Sequence, residues 1–231
     1  MKRFWTDVAE VEVDHGWGIR LDGRPVRTPA RAELVLPTNE LARAVADEWR
    51  AVGEGIDLRA MPLTGLANAA IDRIAPAPGA FAEGLARYAE NDLLCYRADT
   101  PAGLVERQAQ AWDPLLDWAR RRFDVDFAVT SGVVHVPQPT ATVERLAHHV
   151  AIFDAFRLAG LSPLVTIGGS LVAALAVIEQ AVSADDGWAA VSLDDYWQIE
   201  QWGADAEAER ALEARRQDFL SAARMLALLG Q

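Results

Sequence analysis

Apolar and charged side chains alternate along the first part of the chain, which is the pattern of β-strands with one buried face. Two such alternations, at residues 11–13 and 19–21, flank a turn at residues 14–18. The Asp-Gly pair at 22–23 marks a second turn, because glycine tolerates the positive φ that a tight hairpin requires. The sequence therefore predicts a small antiparallel sheet that residues 34–36 continue.

The apolar spacing then changes to three and four residues, which is the period of an α-helix. This spacing predicts one helix over residues 41–52 and a second over residues 63–74. The second pattern ends at residues 75–79, Ala-Pro-Ala-Pro-Gly, where two prolines and a glycine favour a break. We place a domain boundary there, between residues 1–76 and residues 77–231.

Helical periods fill most of the remaining chain, and residues 163–182 are apolar nearly all round, as expected of a central helix. The predicted helices are 81–88, 104–123 with an interruption near Pro114, 143–158, 163–182 and a last one from Ser192. Residues 125–136 are interpreted as a short β segment, and the Ser192 to Asp195 pattern as a capping box. The predicted fold class is α+β, with a small β-rich N-terminal domain and a larger, mostly α-helical C-terminal domain.

Composition and charge exclude several classes of function. The chain has 231 residues, 51% of them hydrophobic, and 34 acidic against 22 basic side chains give a net charge of −12. Such a surface repels phosphate backbones and anionic lipids, so we expect neither nucleic-acid binding nor membrane insertion. The longest apolar run, residues 161–178, is too short and too interrupted to span a bilayer. The start of the chain resembles neither a signal peptide nor a transit peptide, so we expect a bacterial, cytoplasmic protein.

The sequence contains no convincing catalytic, metal or cofactor site. The Gly-Gly-Ser at 168–170 lacks the lysine of a phosphate-binding loop, and four scattered histidines do not indicate a zinc site. We interpret the single cysteine, Cys95, as a buried thiol. The alternative is a small-molecule hydrolase or ligand-binding enzyme that uses Cys95, His135 and the carboxylate pairs at 185–186 and 194–195.

Tryptophan use and the acidic end of the chain stand out instead. Six of the eight tryptophans lie among charged residues, which is typical of protein interfaces and equally of packing between helices. Residues 194–218 contain eight acidic side chains against three arginines. An interaction surface at this end of the chain is therefore one hypothesis, and a solvated helix face is the other.

Several unusual strings occur in a fixed order along the chain. They are EW at 48–49, MPLTGLANAAID at 61–72, DLLCYR at 92–97, LVERQ at 104–108, WDPLLDWA at 112–119 and YWQIEQWG at 196–203. With these strings the chain resembles the family of assembly chaperones for the α subunit of the F-type ATP synthase. The resemblance implies a two-domain, non-catalytic protein without cofactor or metal, which binds the free α subunit until the β subunit replaces it.

The resemblance also implies where the partner binds. The matching acidic positions near the end of the chain are Asp194, Glu200 and Glu207, with Trp202 as an apolar neighbour. We expect a monomer, and we expect Trp49 and residues 61–72 to join the domains rather than contact the partner. A holdase that binds any exposed apolar surface is the remaining alternative.

Overall fold

The N-terminal sheet is built as the alternation predicts. The computed structural model describes residues 2–132, 134–203 and 205–230. Its first strands, β1 (Val8–Val13) and β2 (Gly16–Leu21), pair antiparallel with Val8 opposite Leu21. The short strands β3 (Arg24–Pro25) and β4 (Val35–Leu36) both pair with β2, so β2 is the centre of this sheet.

The turn at 22–23 has the backbone that its sequence predicts. Asp22 and Gly23 have φ values of 47° and 78°, both in the left-handed region. Such values match a two-residue hairpin turn, whose twist follows the twist of the flanking strands. This turn connects β2 to β3, and the hairpin prediction is confirmed.

Helix α1 (Asn39–Ala51) packs on the sheet and positions the next helix. Its N-cap, Thr38, accepts a hydrogen bond from the Leu41 amide. Near its other end, the Glu48 carboxylate accepts the Leu63 and Thr64 amides, both at 2.8 Å, at the start of α2 (Pro62–Ala69). The EW and MPLTG strings of the sequence therefore meet at a helix cap within the fold.

The rest of the chain is mostly helical. Helix α2 continues as one π-helical segment, Ala70–Ile74, before the break at residues 75–77. The following helices are α3 (Pro78–Ala86), α4 (Ala102–Phe123), α5 (Thr140–Ala151), α6 (Ala155–Gly168), α7 (Leu171–Ile178), α8 (Ala184–Val191), α9 (Leu193–Trp202) and α10 (Ala206–Leu228). Strands β5 (Tyr96–Arg97) and β6 (Thr130–Ser131) form a separate two-stranded parallel pair. The predicted α+β class is confirmed.

Five predicted boundaries are wrong. The predicted helix at 143–158 is two helices, because α5 ends at Ala151 and Asp154 caps the start of α6. The apolar stretch 163–182 is divided between α6 and α7, because Gly169 has a φ of 66° and ends α6. Helix α4 continues through Pro114 without the predicted interruption. Of the β segment predicted at 125–136, the described residues 125–132 and 134–136 contain only the two-residue strand β6, and residue 133 lies outside the described residues. The predicted last helix from Ser192 is two helices, since Gly203 with a φ of 85° ends α9.

Buried side chains from both halves of the chain form one continuous hydrophobic cluster. It includes Ile19 and Leu41 from the N-terminal part and Trp112, Leu175 and Phe219 from the helices. The Thr38 hydroxyl also donates to the Leu228 carbonyl at 2.8 Å, joining α1 to the end of α10. The division at residue 76 into two domains stays a prediction. None of the helices in the described parts of the chain is both long and apolar enough to cross a membrane.

Candidate functional site

The four predicted partner-binding residues lie on one feature, which we call the acidic hairpin: helices α9 and α10 with the turn between them. None of the residues of α9 is fully buried, although α9 packs on the body of the protein. The turn begins at Gly203, and Asp205 caps α10 by accepting the Glu207 amide. The exposed, acidic part of the hairpin is therefore α9 with the first turns of α10, whereas the second half of α10 is buried in the core through side chains such as Phe219.

Asp194, at the start of α9, contacts the body through one glutamine. The Gln108 side chain is 1% exposed, and its Nε2 donates to Asp194 Oδ1 at 2.8 Å. The same amide accepts the Ala98 backbone N–H through its oxygen at 2.8 Å. Gln108 is thus held in one orientation, and Asp194 is committed to an internal hydrogen bond.

Glu200 is held by the residue next to Gln108. Arg107 Nη1 lies 2.7 Å from Glu200 Oε2, and its guanidinium lies 4.7 Å from the centre of the Trp197 ring. That ring also packs against Gly103, where a Cβ atom would lie 3.1 Å from the indole. Both contacts come from the first turns of α4, so a short segment of α4 fixes the position of α9.

Trp202 and Glu207 face outward from the two sides of the turn. Trp202 is 78% exposed, the largest exposed fraction among the large hydrophobic side chains of the described residues. Glu207 is exposed, and within the described parts of the chain its carboxylate has no hydrogen-bond or ion-pair partner. These two residues are available to a partner in the observed structure, whereas Asp194 and Glu200 are engaged within the protein.

The capping box predicted at Ser192 is wrong. The Ser192 hydroxyl donates to the Trp188 carbonyl at 2.6 Å and makes no cap to α9. The reason is that α8 ends only one residue before α9 begins, so the serine satisfies the last carbonyls of α8 instead. Asp195 is paired with Arg215 of α10, at 3.3 Å.

The DLLCYR string forms a buried junction that contacts α4 and α7. Asp92 is fully buried, and its carboxylate accepts the Leu94 and Val172 amides at 3.0 and 2.9 Å. Burial raises the pKa of Asp92 to about 6 against the opposing effect of these hydrogen bonds. Arg97 donates to the Leu94 carbonyl and to Asp113 of α4. The string therefore anchors α7 and α4, which position the hairpin.

The residues of the enzyme alternative do not form a reactive site. Cys95 is completely buried, and burial, together with the nearby Asp92, raises the pKa of its thiol to about 12. His135 is exposed, with Nδ1 3.0 Å from the Tyr96 hydroxyl. Asp186 accepts a hydrogen bond from the hydroxyl of Ser183, the N-cap of α8, and Asp185 pairs with Arg216. In the other pair, Asp195 pairs with Arg215 and Asp194 accepts from Gln108.

A separate cavity brings polar side chains together near the ends of α4, α5 and α7. It has a volume of about 320 Å³ and is lined in part by Arg122, His149 and Glu179. His149 Nε2 lies 3.0 Å from Glu179, and its ring packs between Phe123 and Phe153. Burial lowers the pKa of His149. Among the described residues, the lining of this cavity contains no Ser, Cys, Thr or Lys nucleophile, and the contacts connect α4, α5 and α7.

Comparison with known proteins assigns the chain to a family. Residues 2–120 match the family described as ATP12 chaperone protein. The chain belongs to the ATP12 chaperone family. This membership confirms the resemblance to ATP synthase assembly chaperones that the ordered strings indicate. Residues 2–132, 134–203 and 205–230 contain no group of three or more His, Cys, Asp or Glu side chains that could bind a metal ion.

Solved structures extend the similarity to the whole chain. Atp12 from Paracoccus denitrificans is 43% identical, with a TM-score of 0.94 over 99% of this chain and 98% of that one. A point mutant of the same protein matches equally well, over 97% of its length. A candidate chaperone from Agrobacterium tumefaciens is 39% identical, with a TM-score of 0.94 over 99% of this chain and 86% of that one. The acidic hairpin lies beyond residue 120 but belongs to this shared fold.

Sequence reasoning missed the residues that hold the hairpin. Arg107 and Gln108 belong to the LVERQ string, and their partners Glu200 and Asp194 lie in or beside the YWQIEQWG string. The sequence shows a basic residue in one ordered string and an acidic residue in another, which is compatible with an ion pair between them. Periodicity does not predict which of these residues are in contact in the fold. The close packing of the Trp197 ring on Gly103 could not be predicted from the sequence either, since a glycine near a helix start has several explanations.

Proposed function

We propose that this protein binds the free α subunit of the F-type ATP synthase and shields it until the β subunit replaces it. In this proposal it is a non-catalytic, monomeric chaperone of the bacterial cytoplasm, without cofactor. The observation that supports the proposal most directly is the acidic hairpin, an exposed and charged element on a member of the ATP12 chaperone family. We propose Asp194, Glu200, Trp202 and Glu207 as its contact region.

The charge of the hairpin supports a partner with basic groups. Glu207, Glu209 and Asp218 are exposed, and their carboxylates have no hydrogen-bond or ion-pair partner among the described residues. Excess negative charge at a protein surface attracts a complementary basic patch and accelerates the encounter. A subunit whose contact surface is positively charged would therefore be captured quickly.

Trp202 supports an apolar contact within the same region. The Trp202 side chain is 78% exposed, so most of its ring is available for contact with a partner. At interfaces, tryptophan is among the residues that contribute most to binding, because burial of its ring removes a large apolar area from water. An unassembled subunit exposes apolar surface intended for its neighbour, and Trp202 can cover part of it reversibly.

The two engaged acids have a different role in the proposal. Asp194 and Glu200 fix α9 on α4 through Gln108 and Arg107, so their contribution to the partner is to position Trp202. Glu200 is still about half exposed, and a basic group of the partner can reach the same carboxylate. We therefore expect charge reversal at Glu207 to reduce binding directly, and changes at Asp194 to act through the placement of α9.

Gel filtration of the protein with purified α subunit tests the proposal. We expect a joint peak that disappears when β subunit is added, and a monomer when the protein is run alone. The double variant Glu207→Lys with Glu209→Lys should weaken the complex by about tenfold or more, because two attractive contacts become repulsive.

A matched variant separates local from general charge effects. Glu12 is an exposed acid on β1, so Glu12→Lys matches the single reversal Glu207→Lys in charge but places the change on the N-terminal sheet. This variant should bind the α subunit within about twofold of the unmodified protein. Separate elution of the protein and α subunit at micromolar concentration would refute the proposal, and release by an unrelated unfolded chain would favour a general holdase.

A further inference from the structure

A groove runs between the two helices of the acidic hairpin and has a volume of about 390 Å³. Its α9 wall contains Ile199 and Trp202, and its α10 wall contains Ala208, Ala211 and Leu212. The α10 residues are spaced by three and four positions, so they share one face of that helix. The alanines are exposed, whereas Leu212 is 7% exposed and forms the floor. The groove exists because α10 presents small side chains opposite a tryptophan.

Charged groups lie at the ends and along the outer side of the groove. Asp195, paired with Arg215, lies at one end, and Asp205 lies beside the turn at the other. Glu207 and Glu209 follow in the first turn of α10. The lining therefore contains two carboxylates and one guanidinium, and the exposed Glu207 and Glu209 on the neighbouring turn of α10 make the surroundings of the groove negative.

We infer that the groove binds one bulky apolar side chain of a helical segment that has arginine or lysine within one turn of it. This inference rests on the proposed function and names the part of the α subunit that the hairpin recognises: an amphipathic, basic segment. Residues three and four apart on a helix are neighbours, so one helix can place an apolar anchor in the groove and a cation at its rim.

The physical properties of the groove favour this occupant over others. A purely apolar segment would leave the exposed carboxylates of Glu207 and Glu209, at the start of α10, without a cationic partner. A purely basic segment would leave the Trp202 ring exposed to water. An anionic ligand or a lipid headgroup would be repelled by the same acids. A basic amphipathic helix satisfies both the apolar walls and the charged rim.

Filling the groove tests the inference on the full-length protein. Ala211→Trp places a large ring in the groove at an exposed position, so the fold should be retained. Ala214→Trp is the matched control, because Ala214 is exposed on the same helix but does not line the groove. We expect Ala211→Trp to weaken binding of purified α subunit by about tenfold or more, and Ala214→Trp to change it by less than about twofold. If circular dichroism shows that Ala211→Trp is misfolded, Ala208→Trp replaces it.

A second probe distinguishes this inference from the proposed function. It is a synthetic helical peptide with one leucine flanked by arginines one turn away, compared with the same peptide in which glutamates replace the arginines. The inference requires the arginine peptide to bind and Ala211→Trp to reduce that binding, even if the α subunit itself does not bind and the proposed function fails.

Two results would overturn the inference while leaving the proposed function intact. One is equal binding of α subunit by the unmodified protein and by Ala211→Trp. The other is sedimentation of the unmodified protein as a dimer that Ala211→Trp converts to a monomer, because the occupant would then be a second copy of this chain.

Discussion

Asp92 shows how a single residue of a conspicuous string can serve the fold rather than a partner. It is buried where the DLLCYR string meets the first turn of α7, and its two carboxylate oxygens accept amides from different segments. Buried backbone amides are nearly always hydrogen-bonded, and here one carboxylate satisfies two of them. The strings of this chain therefore identify structural junctions as much as contact surfaces.

The burial of Asp92 predicts a pH dependence of stability. Its pKa is raised from 3.8 to about 6 in the fold, so the native state binds the proton more tightly than the unfolded chain does. Its stabilising contribution is therefore complete below about pH 4 and is lost as the pH rises through about 6. Asp92→Asn removes this titration but keeps the shape of the side chain.

Urea unfolding of both proteins at several pH values measures the effect. The free energy of unfolding of the unmodified protein, minus that of Asp92→Asn, should fall between about pH 4 and 6, by at most about 1.4 kcal/mol per pH unit. A difference that rises over this range would mean that the hydrogen bonds to the carboxylate outweigh its burial. Asp22, an exposed acid, is unsuitable as the control because backbone hydrogen bonds lower its pKa.

At the scale of elements, α9 depends on α4 for its position. The contacts of Arg107 with Glu200 and Trp197, and of Gln108 with Asp194, all come from one side of α4. Because α9 has no fully buried side chain, these polar contacts and the packing at Gly103 hold it in place. Local opening of α9 should therefore require much less free energy than global unfolding.

Arg107→Met tests this dependence, since methionine retains the apolar stem of the arginine side chain but loses both charged contacts. Amide hydrogen exchange in α9 should become several-fold faster, in line with about 1 kcal/mol for a partly exposed ion pair with a cation–π contact. The thermal midpoint of the whole protein should stay nearly constant. Arg87→Met, which removes an exposed pair with Glu83 on α3, is the control and should leave exchange in α9 unchanged.

An element could be predicted when its sequence pattern is local, and could not when its bounds depend on contacts with distant parts of the chain. The β1–β2 hairpin and α1 were predictable, because their patterns are local and their turns and caps have specific residues. The divisions at Gly169 and Gly203 were not, because a single glycine inside a periodic pattern is compatible with a continuous helix. Pro114 shows the opposite case, since tertiary packing retains α4 across a residue that usually ends a helix.

At the scale of the whole molecule, the sequence indicates a candidate site in the last helices but not the contacts that hold those helices in place. Ordered strings and the acidic composition indicate the last helices, where the exposed Trp202 and Glu207 are found. The internal use of Asp194 and Glu200 depends on α4, which lies more than eighty residues earlier in the chain. Contacts at such separations follow from the fold and leave no periodic trace in the sequence.

The net charge of −12 makes the capture of a basic partner sensitive to salt. Charges at a distance are screened within about 10 Å at 0.1 M ionic strength and within about 3 Å at 1 M. Salt should therefore slow the association of this protein with α subunit much more than it changes dissociation, because the apolar contact of Trp202 is not screened.

Stopped-flow measurements over a range of sodium chloride concentrations separate the two rates. We expect the association rate constant to fall by about tenfold or more between low and high salt. The double variant Glu207→Lys with Glu209→Lys should show a weaker dependence, while Trp202→Ala should keep the dependence and dissociate faster. An association rate constant that does not change with salt would mean that the acidic surface repels other anions but does not attract the partner. Recognition would then depend on Trp202 and the groove alone.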